Sequence, residues 1–362
     1  MAVIMKTEEM SNFAMVWISV VASLCYCHSI AKFIKPGSTR FLLFLPVILL
    51  FLVLPLNLRT IFLGGPTSFF VSWLATFKLV LFAFGKGPLS SDPPLPLRSF
   101  VLLACFPIKI QTPFVKDSRK FSQKSPLNYA IKALIFATIW PVYQNKSSFH
   151  PKLFLCLYAI YTYTGLEIIL AAVAAAARAW LGVELEPQFD EPYLSTSLQD
   201  FWGRRWNIMA SNILRPTVYV PVREISGRLI GTKWDQLPAV VATFLVSGVM
   251  HEWIFYNIGR SKPTWEVTWF FVLHGVCLAV EIGVKKAVGG RWRLPPAVSG
   301  LMALAVVMAS ALWLFLPALM KCNADVMAHR EMVAFFEFVK NNVAIRLRLD
   351  KAILFSSFRY YN

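Results

Sequence analysis

Long apolar runs alternate along this chain with short basic intervals. Runs of about 20 residues, the length a helix rising about 1.5 Å per residue needs to cross a bilayer, occupy 13–31, 41–63, 66–84, 127–143, 153–181, 237–259, 263–284 and 298–320. In hydrocarbon every backbone N–H and C=O must be satisfied within the chain, so eight such runs predict an all-α polytopic membrane protein. The runs are too long and too continuous for the alternating strands of a β-barrel. A ninth run, 99–110, holds Pro107 and Lys109 and is too short to cross, which predicts a re-entrant or surface helix. With that run not crossing, the basic intervals 32–40, 85–126, 182–236 and 285–297 fall on one face, which the positive-inside rule makes cytosolic. The basic C-terminal tail, 321–362, then lands on the other face, against the rule. The first run lacks a basic leader and a small-residue cleavage site and is read as a retained span.

Composition agrees with this pattern: 57% of the residues are hydrophobic, 15% are charged and the mean hydropathy is +0.57. A net charge of +17 is compatible with nucleic-acid binding. The cations, however, sit in loops between spans, where membrane lipid headgroups or an anionic cosubstrate suit them better, so no nucleic acid is expected. The cysteines Cys25, Cys27, Cys105, Cys156, Cys277 and Cys322 lie mostly in apolar runs without metal-ligand spacing, and are expected as free thiols. No repeat or low-complexity tract divides the chain, so one membrane-embedded domain spanning 1–362 is expected, with 182–236 as its cytosolic loop.

Two stretches carry candidate chemistry. In 182–236, Ser197 stands three residues before Asp200, a capping-box spacing that predicts a helix start, and Pro216 predicts its end. Between them Trp202, Trp206, Met209 and Ile213 form an apolar face opposite Arg204, Asn207, Ser211 and Arg215. Such a helix would lie on the membrane surface, either as an anchor or as a site for a phosphate-bearing ligand. Arginine forks bind phosphate in bidentate fashion, and Arg223, Arg228 and Lys233 extend the positive field. In 237–259 the only ionisable pair is His251 and Glu252. An imidazole titrates near about 6.5 and can serve as a general base, or it can be a neutral group bonded to a neighbouring helix. Glu252 lies about 100° further round the helix and is expected to pair with another span. His274 is more readily structural than catalytic, and Glu167, Arg178, Glu266 and Glu281 are expected to pair between helices or to snorkel.

HEWIF lacks the second histidine of a zincin site, and no GxSxG, GxxxxGK[ST] or GxGxxG pattern occurs. The residues alone leave an enzyme and a transporter open, although the inverted repeats and matched helix breaks of many transporters are not seen.

SLQDFWGRRWN with ILRPTVY, then ATFLVSGVMHE, WFFVLHG, GRWRLPPAVS and ALWLFLP, with LPLNL, FLGGPTSFF, GPLS and FPIKI nearer the start, follow one order over roughly residues 11–340. In these motifs the chain resembles the plant wax synthases of the membrane-bound O-acyltransferase superfamily. The resemblance implies an enzyme of the endoplasmic reticulum membrane that moves a fatty acyl group from acyl-CoA to a fatty alcohol, or to a sterol or diacylglycerol.

His251 matches the superfamily's catalytic histidine and Asn207 the asparagine beside the thioester, so both are the expected catalytic residues. Trp202, Arg204, Arg205, Trp206, Ser211 and Glu252 are the expected substrate-binding residues, with the Arg204–Arg205 region receiving the CoA phosphates. Wider relatives carry a histidine four positions after the asparagine, where this chain has Ser211. No metal or bound cofactor is implied, acyl-CoA being a cosubstrate.

Overall fold

The computed structural model describes residues 2–108, 125–145, 148–182, 185–289 and 294–334, together with 337 and 340. Lys109, most of the 85–126 interval beyond it, Arg291 and Arg293 of the GRWRLPP motif, and most of the C-terminal tail lie outside the described residues. The described chain is helical: α1 Ala2–Phe33, α2 Ser38–Val53, α3 Ile61–Thr67, α4 Thr76–Ala83, α5 Leu97–Cys105, α6 Pro126–Gln144 and α7 Pro151–Leu181. There follow α8 Leu198–Asp200, α9 Ile208–Leu214, α10 Val220–Ile230, α11 Gln236–Gly259, α12 Glu266–Val288, α13 Pro296–Ser310 and α14 Leu316–Lys321. Among the described residues, seven helical stretches are long and apolar enough to cross a membrane: 8–33, 38–57, 61–83, 151–179, 236–259, 266–288 and 296–321. The eighth expected span, α6, is 19 residues long and falls short in apolar character because Asn128, Lys132 and Pro141 interrupt its run.

Buried charge explains how α6 still packs. The Lys132 ammonium, almost fully buried, pairs with Glu167 of α7 and, at 3.1 Å, with Glu191. Phe136 stacks on Tyr161 with ring centroids 4.4 Å apart, and a Cβ on Gly165 would come within 2.9 Å of the Phe136 ring. The helix pair α6–α7 is therefore held by an ion cluster and a close aromatic contact.

Around a core of Val20, Leu24, Phe44, Phe51 and Leu79 pack α1, α2, the continuous helix from α3 to α4, and α5. At nine residues α5 is about 13 Å long and cannot cross. It enters from the level of His28, whose Nε2 donates to the Leu95 carbonyl at 3.0 Å, and ends where Phe106 stacks on Trp17 in the middle of α1. The described part of this run thus stops short of crossing, as the sequence reading expects. The buried Lys78 ammonium donates to the carbonyls of Leu103 and, at 2.8 Å, Phe106, so a cation closes the C-terminal end of α5.

The second half is built on the crossing of α11 and α12. A Cβ on Gly248 would lie 2.8 Å from the Thr268 Cα, and one on Gly275 would lie 2.8 Å from the Phe244 Cβ. Two glycines thus let the backbones approach as small residues do in membrane helix pairs.

One expected helix is replaced by several. Ser197 does cap a helix start, accepting from Asp200 N at 3.1 Å, but α8 passes into a π-turn, Phe201–Arg205, and the chain then turns extended at Trp206 and left-handed at Asn207. Nor does Pro216 end the helix: a second π-turn, Arg215–Tyr219, takes it into α10. A π-turn leaves extra backbone room, so the missing N–H of proline breaks no helical ladder there. The surface-helix expectation fails for 198–215, because Met209, Ala210, Ile213 and Leu214 are buried against Trp73, Leu74 and Leu81. The exposed apolar residues of α10 are Val220, Ile225, Leu229 and Ile230.

Candidate active site

His251 lies midway along α11, and its ring is set by a hydrogen bond and a wall of aromatic rings. Its Nδ1 is 2.7 Å from the Ser247 carbonyl oxygen. A carbonyl can only accept, so Nδ1 carries the proton and Nε2 presents a lone pair with no partner among the described residues. Trp73 meets the imidazole edge-on at a centroid distance of 5.3 Å, Phe271 lies at 4.3 Å and Phe315 at 6.3 Å. A basic nitrogen in an apolar enclosure can accept a hydroxyl proton where water is scarce.

Backbone irregularity aims this wall. Trp73 belongs to a π-stretch, Ser68–Ala75, Trp202 to the turn Phe201–Arg205, and Phe315 to the turn Ala311–Phe315. Each π-turn adds a residue to the helical repeat and shifts the side chains that follow it. In each case the shift presents an aromatic ring to His251 or to its neighbour His274.

His274 is fully buried, with Nδ1 2.8 Å from the Phe270 carbonyl and Nε2 3.3 Å from Ser310 Oγ. Both nitrogens are engaged, and the Trp202 ring closes over it at 5.2 Å. His274 is a packing residue tying α12 to α13.

The RRWN segment reaches the histidines through rings. Trp202 packs between Phe244, Phe271 and His274 rather than at headgroup level, and Phe271 in turn touches His251. Trp206 points the other way, onto Phe189, Phe201 and Tyr163. Asn207 adopts φ 42° and ψ 61°, and its Oδ1 accepts from Ala210 N at 3.2 Å, capping α9. The left-handed backbone suits asparagine among non-glycine residues. With Oδ1 held by the cap, the amide nitrogen remains as a donor.

Four expected substrate-binding residues have structural partners. Arg205 pairs with Asp200 at 2.9 Å and donates to the carbonyls of Asp190 and Glu191, which pins the preceding loop instead of leaving the guanidinium for a ligand. Ser211 donates to the Trp202 carbonyl at 2.9 Å and closes the turn around Asn207. Trp206 packs beneath that loop. Glu252 is buried, and its Oε1 accepts from Thr268 N at 3.2 Å in the first turn of α12, where a helix leaves N–H groups without partners. Its carboxylate fixes α12 against α11 on a face other than that of His251, in the pairing with another span that the spacing implied. Arg204 is exposed, as are Arg215 and Arg228, whereas Arg223 pairs with Asp235 at 3.0 Å.

Trp73, Phe271 and Phe315 were not singled out from the sequence. Each sits in an apolar run with no polar residue to mark it; the only signal was the aromatic density of the SFFVSW, WFFVLHG and ALWLF stretches. The six cysteines are free, with Cys27 and Cys105 buried and the others partly so. Among the described residues no group of three His, Cys, Asp or Glu side chains could hold a metal ion.

A family model described as membrane bound O-acyl transferase family matches residues 185–273, the interval that holds both Asn207 and His251. Over 344 residues the chain is 47% identical to an acyl-CoA–sterol O-acyltransferase of Arabidopsis thaliana, covering 94% of this chain and 99% of that protein. It is 44% identical to a long-chain-alcohol O-fatty-acyltransferase of Simmondsia chinensis, covering 93% and 97%. To a probable long-chain-alcohol O-fatty-acyltransferase of Arabidopsis thaliana it is 42% identical, covering 95% and 99%. Identity at this level along nearly the whole of each chain decides for the enzyme over the transporter: the chain belongs to the wax synthase group of the membrane-bound O-acyltransferases and is a multi-pass membrane O-acyltransferase.

Proposed function

We propose that the protein transfers a long-chain acyl group from acyl-CoA to the hydroxyl of a fatty alcohol, forming a wax ester, in the endoplasmic reticulum membrane. The observation that carries this reading is the tautomer of His251: Nδ1–H is committed to Ser247, so Nε2 stands as a base inside an aromatic enclosure. In the reaction, Nε2 takes the alcohol proton as the oxygen attacks the thioester carbon, and the Asn207 amide nitrogen donates to the carbonyl oxygen. The C–S bond then breaks. A thiol with a pKa near about 8.5 leaves without a strong acid, and the imidazolium returns its proton to the sulfur. Arg204, Arg215 and Arg228, all exposed, are the cations that receive the CoA phosphates, in place of the Arg205 expected earlier.

A sterol acceptor is the second reading, favoured by the relative at 47% identity named for sterol acylation. Microsomes holding the protein, offered fatty alcohol, sterol and diacylglycerol in competition with labelled acyl-CoA, are expected to yield mainly wax ester. His251→Ala should reduce the product at least about 10³-fold at unchanged protein level. A fully active alanine variant would refute the base, and a predominance of steryl ester would transfer the assignment to sterol.

A further inference from the structure

Trp73 is 1% exposed, and its indole Nε1 has no hydrogen-bond partner among the described residues. Buried N–H groups are nearly always paired, and leaving one unpaired is destabilising. This donor belongs to the ring that meets the His251 imidazole edge-on at 5.3 Å. Trp73 also sits in the π-stretch Ser68–Ala75, and it shares one apolar cluster with Met209 and Ala210, in the first turn of the helix that Asn207 caps. The ring that carries this unused donor therefore touches the His251 imidazole and packs in the same cluster as the helix that Asn207 caps.

We propose that the Trp73 indole N–H is a catalytic hydrogen-bond donor to the carbonyl oxygen of the acyl thioester. The reacting groups need both halves of this arrangement. The alcohol O–H gives its proton to Nε2, the new O–C bond forms at the carbonyl carbon, and the C=O electron pair moves onto oxygen, which Trp73 then holds as an oxyanion. Collapse returns the pair, breaks the C–S bond and releases the thiolate, which takes the proton from the imidazolium. A preorganised donor in a dry site acts mainly on this charged intermediate, so it lowers the barrier more than it tightens ground-state binding. The inference rests on the reaction proposed for His251, but it assigns a separate group.

Two non-reactive CoA analogues separate the roles. In one, a methylene replaces the sulfur and the ketone keeps the carbonyl; in the other, an alkyl thioether lacks it. The full-length protein in lipid nanodiscs is expected to bind the ketone more tightly than the thioether. Trp73→Phe should cut this preference about 10-fold and kcat about 10²-fold, with the KM for acyl-CoA changed less than about 3-fold. If Trp73→Phe folds poorly, benzothienylalanine at position 73 removes the N–H at nearly constant shape and should give the same loss. Unchanged analogue preference in a folded variant overturns the proposal, as does a rise confined to the KM for the alcohol. His251→Ala should leave the ketone preference in place, so a failure of the base assignment reads out in turnover and a failure of this one in analogue binding.

Discussion

At the scale of single residues, the two positions expected to be catalytic were legible for different physical reasons. His251 was legible because a titratable group in a 23-residue apolar run is costly and needs a reason. Its neighbour Glu252 was expected both to bind substrate and to partner another span; spacing says which way a side chain leaves its helix but not which N–H it meets. Asn207 was legible through resemblance, whereas its left-handed backbone was not, because a periodicity reading assigns every residue in a run the same conformation. That backbone makes the asparagine testable. Asn207→Gly relieves the positive φ but deletes the amide; Asn207→Ala keeps the strain and deletes the amide as well. The glycine variant is expected to unfold within a few tenths of a kcal/mol of the parent, and the alanine variant to lose about 1 kcal/mol. Both should lose at least about 10²-fold in kcat. A glycine variant with full turnover would show that Asn207 only shapes the chain.

At the scale of elements, spans were legible and joints were not. Continuous apolar runs leave a helix as the one way to satisfy the backbone in lipid, so the sequence located α7, α11 and α12 to within a few residues, whereas α1 begins well before its apolar run and α2 ends well before the close of its own. The joints depend on side chains arriving from far along the chain. The first turn of α3, which leads to Trp73, shows this: Thr60 N donates to Glu9 Oε1 at 2.9 Å, while Ile61 N and Phe62 N donate to the Glu331 carboxylate at 2.7 and 2.9 Å. Burial pushes the Glu331 carboxyl above the usual carboxylate range, although the two N–H bonds pull it back. A raised value means that the folded protein holds this proton to higher pH than the unfolded chain does. The group's contribution to stability is thus fully present below the ordinary carboxylate range and is lost as pH rises through the folded value. Glu331→Gln keeps an acceptor and cannot titrate, so its thermal unfolding temperature in detergent should vary less with pH than the parent's across that window. Glu331→Ala should lose about 1–2 kcal/mol at any pH in the range, through the lost cap. Equal pH slopes for the parent and the glutamine variant would remove Glu331 from this account.

At the scale of the whole molecule, contacts between helix ends fix the order of crossings more firmly than apolar content does. On one face, the Arg40 guanidinium joins the ends of α1, α2 and α4 through the carbonyls of Ala31, Ile34 and Phe82, and Lys286 donates to the Lys233 carbonyl between α12 and the start of α11. On the other face, Arg260 donates to the carbonyls of Leu56 and Leu58, and Lys321 pairs with Glu266. The chain therefore leaves α4 and enters α11 on the same face, and the number of crossings between them must be even. The start of α7 packs Phe154 and Tyr158 against Leu316, and Trp140 near the end of α6 meets His329 at 4.8 Å, which puts the α6–α7 joint on the Arg260 face. Parity then predicts that α6 crosses despite Lys132, whose charge is met by Glu167 and Glu191, which would make eight crossings among the described residues. Positive-inside reasoning predicts that the Arg40 and Lys286 face is cytosolic, the side proposed for acyl-CoA. A spacer bearing an Asn-Xaa-Thr acceptor should be glycosylated in microsomes when inserted at Asn145 or at Ser261, and should stay unmodified at Thr232. Modification at Ser261 alone would take α6 out of the bilayer, and modification at Thr232 would invert the molecule and turn its exposed arginines away from the CoA they are proposed to hold.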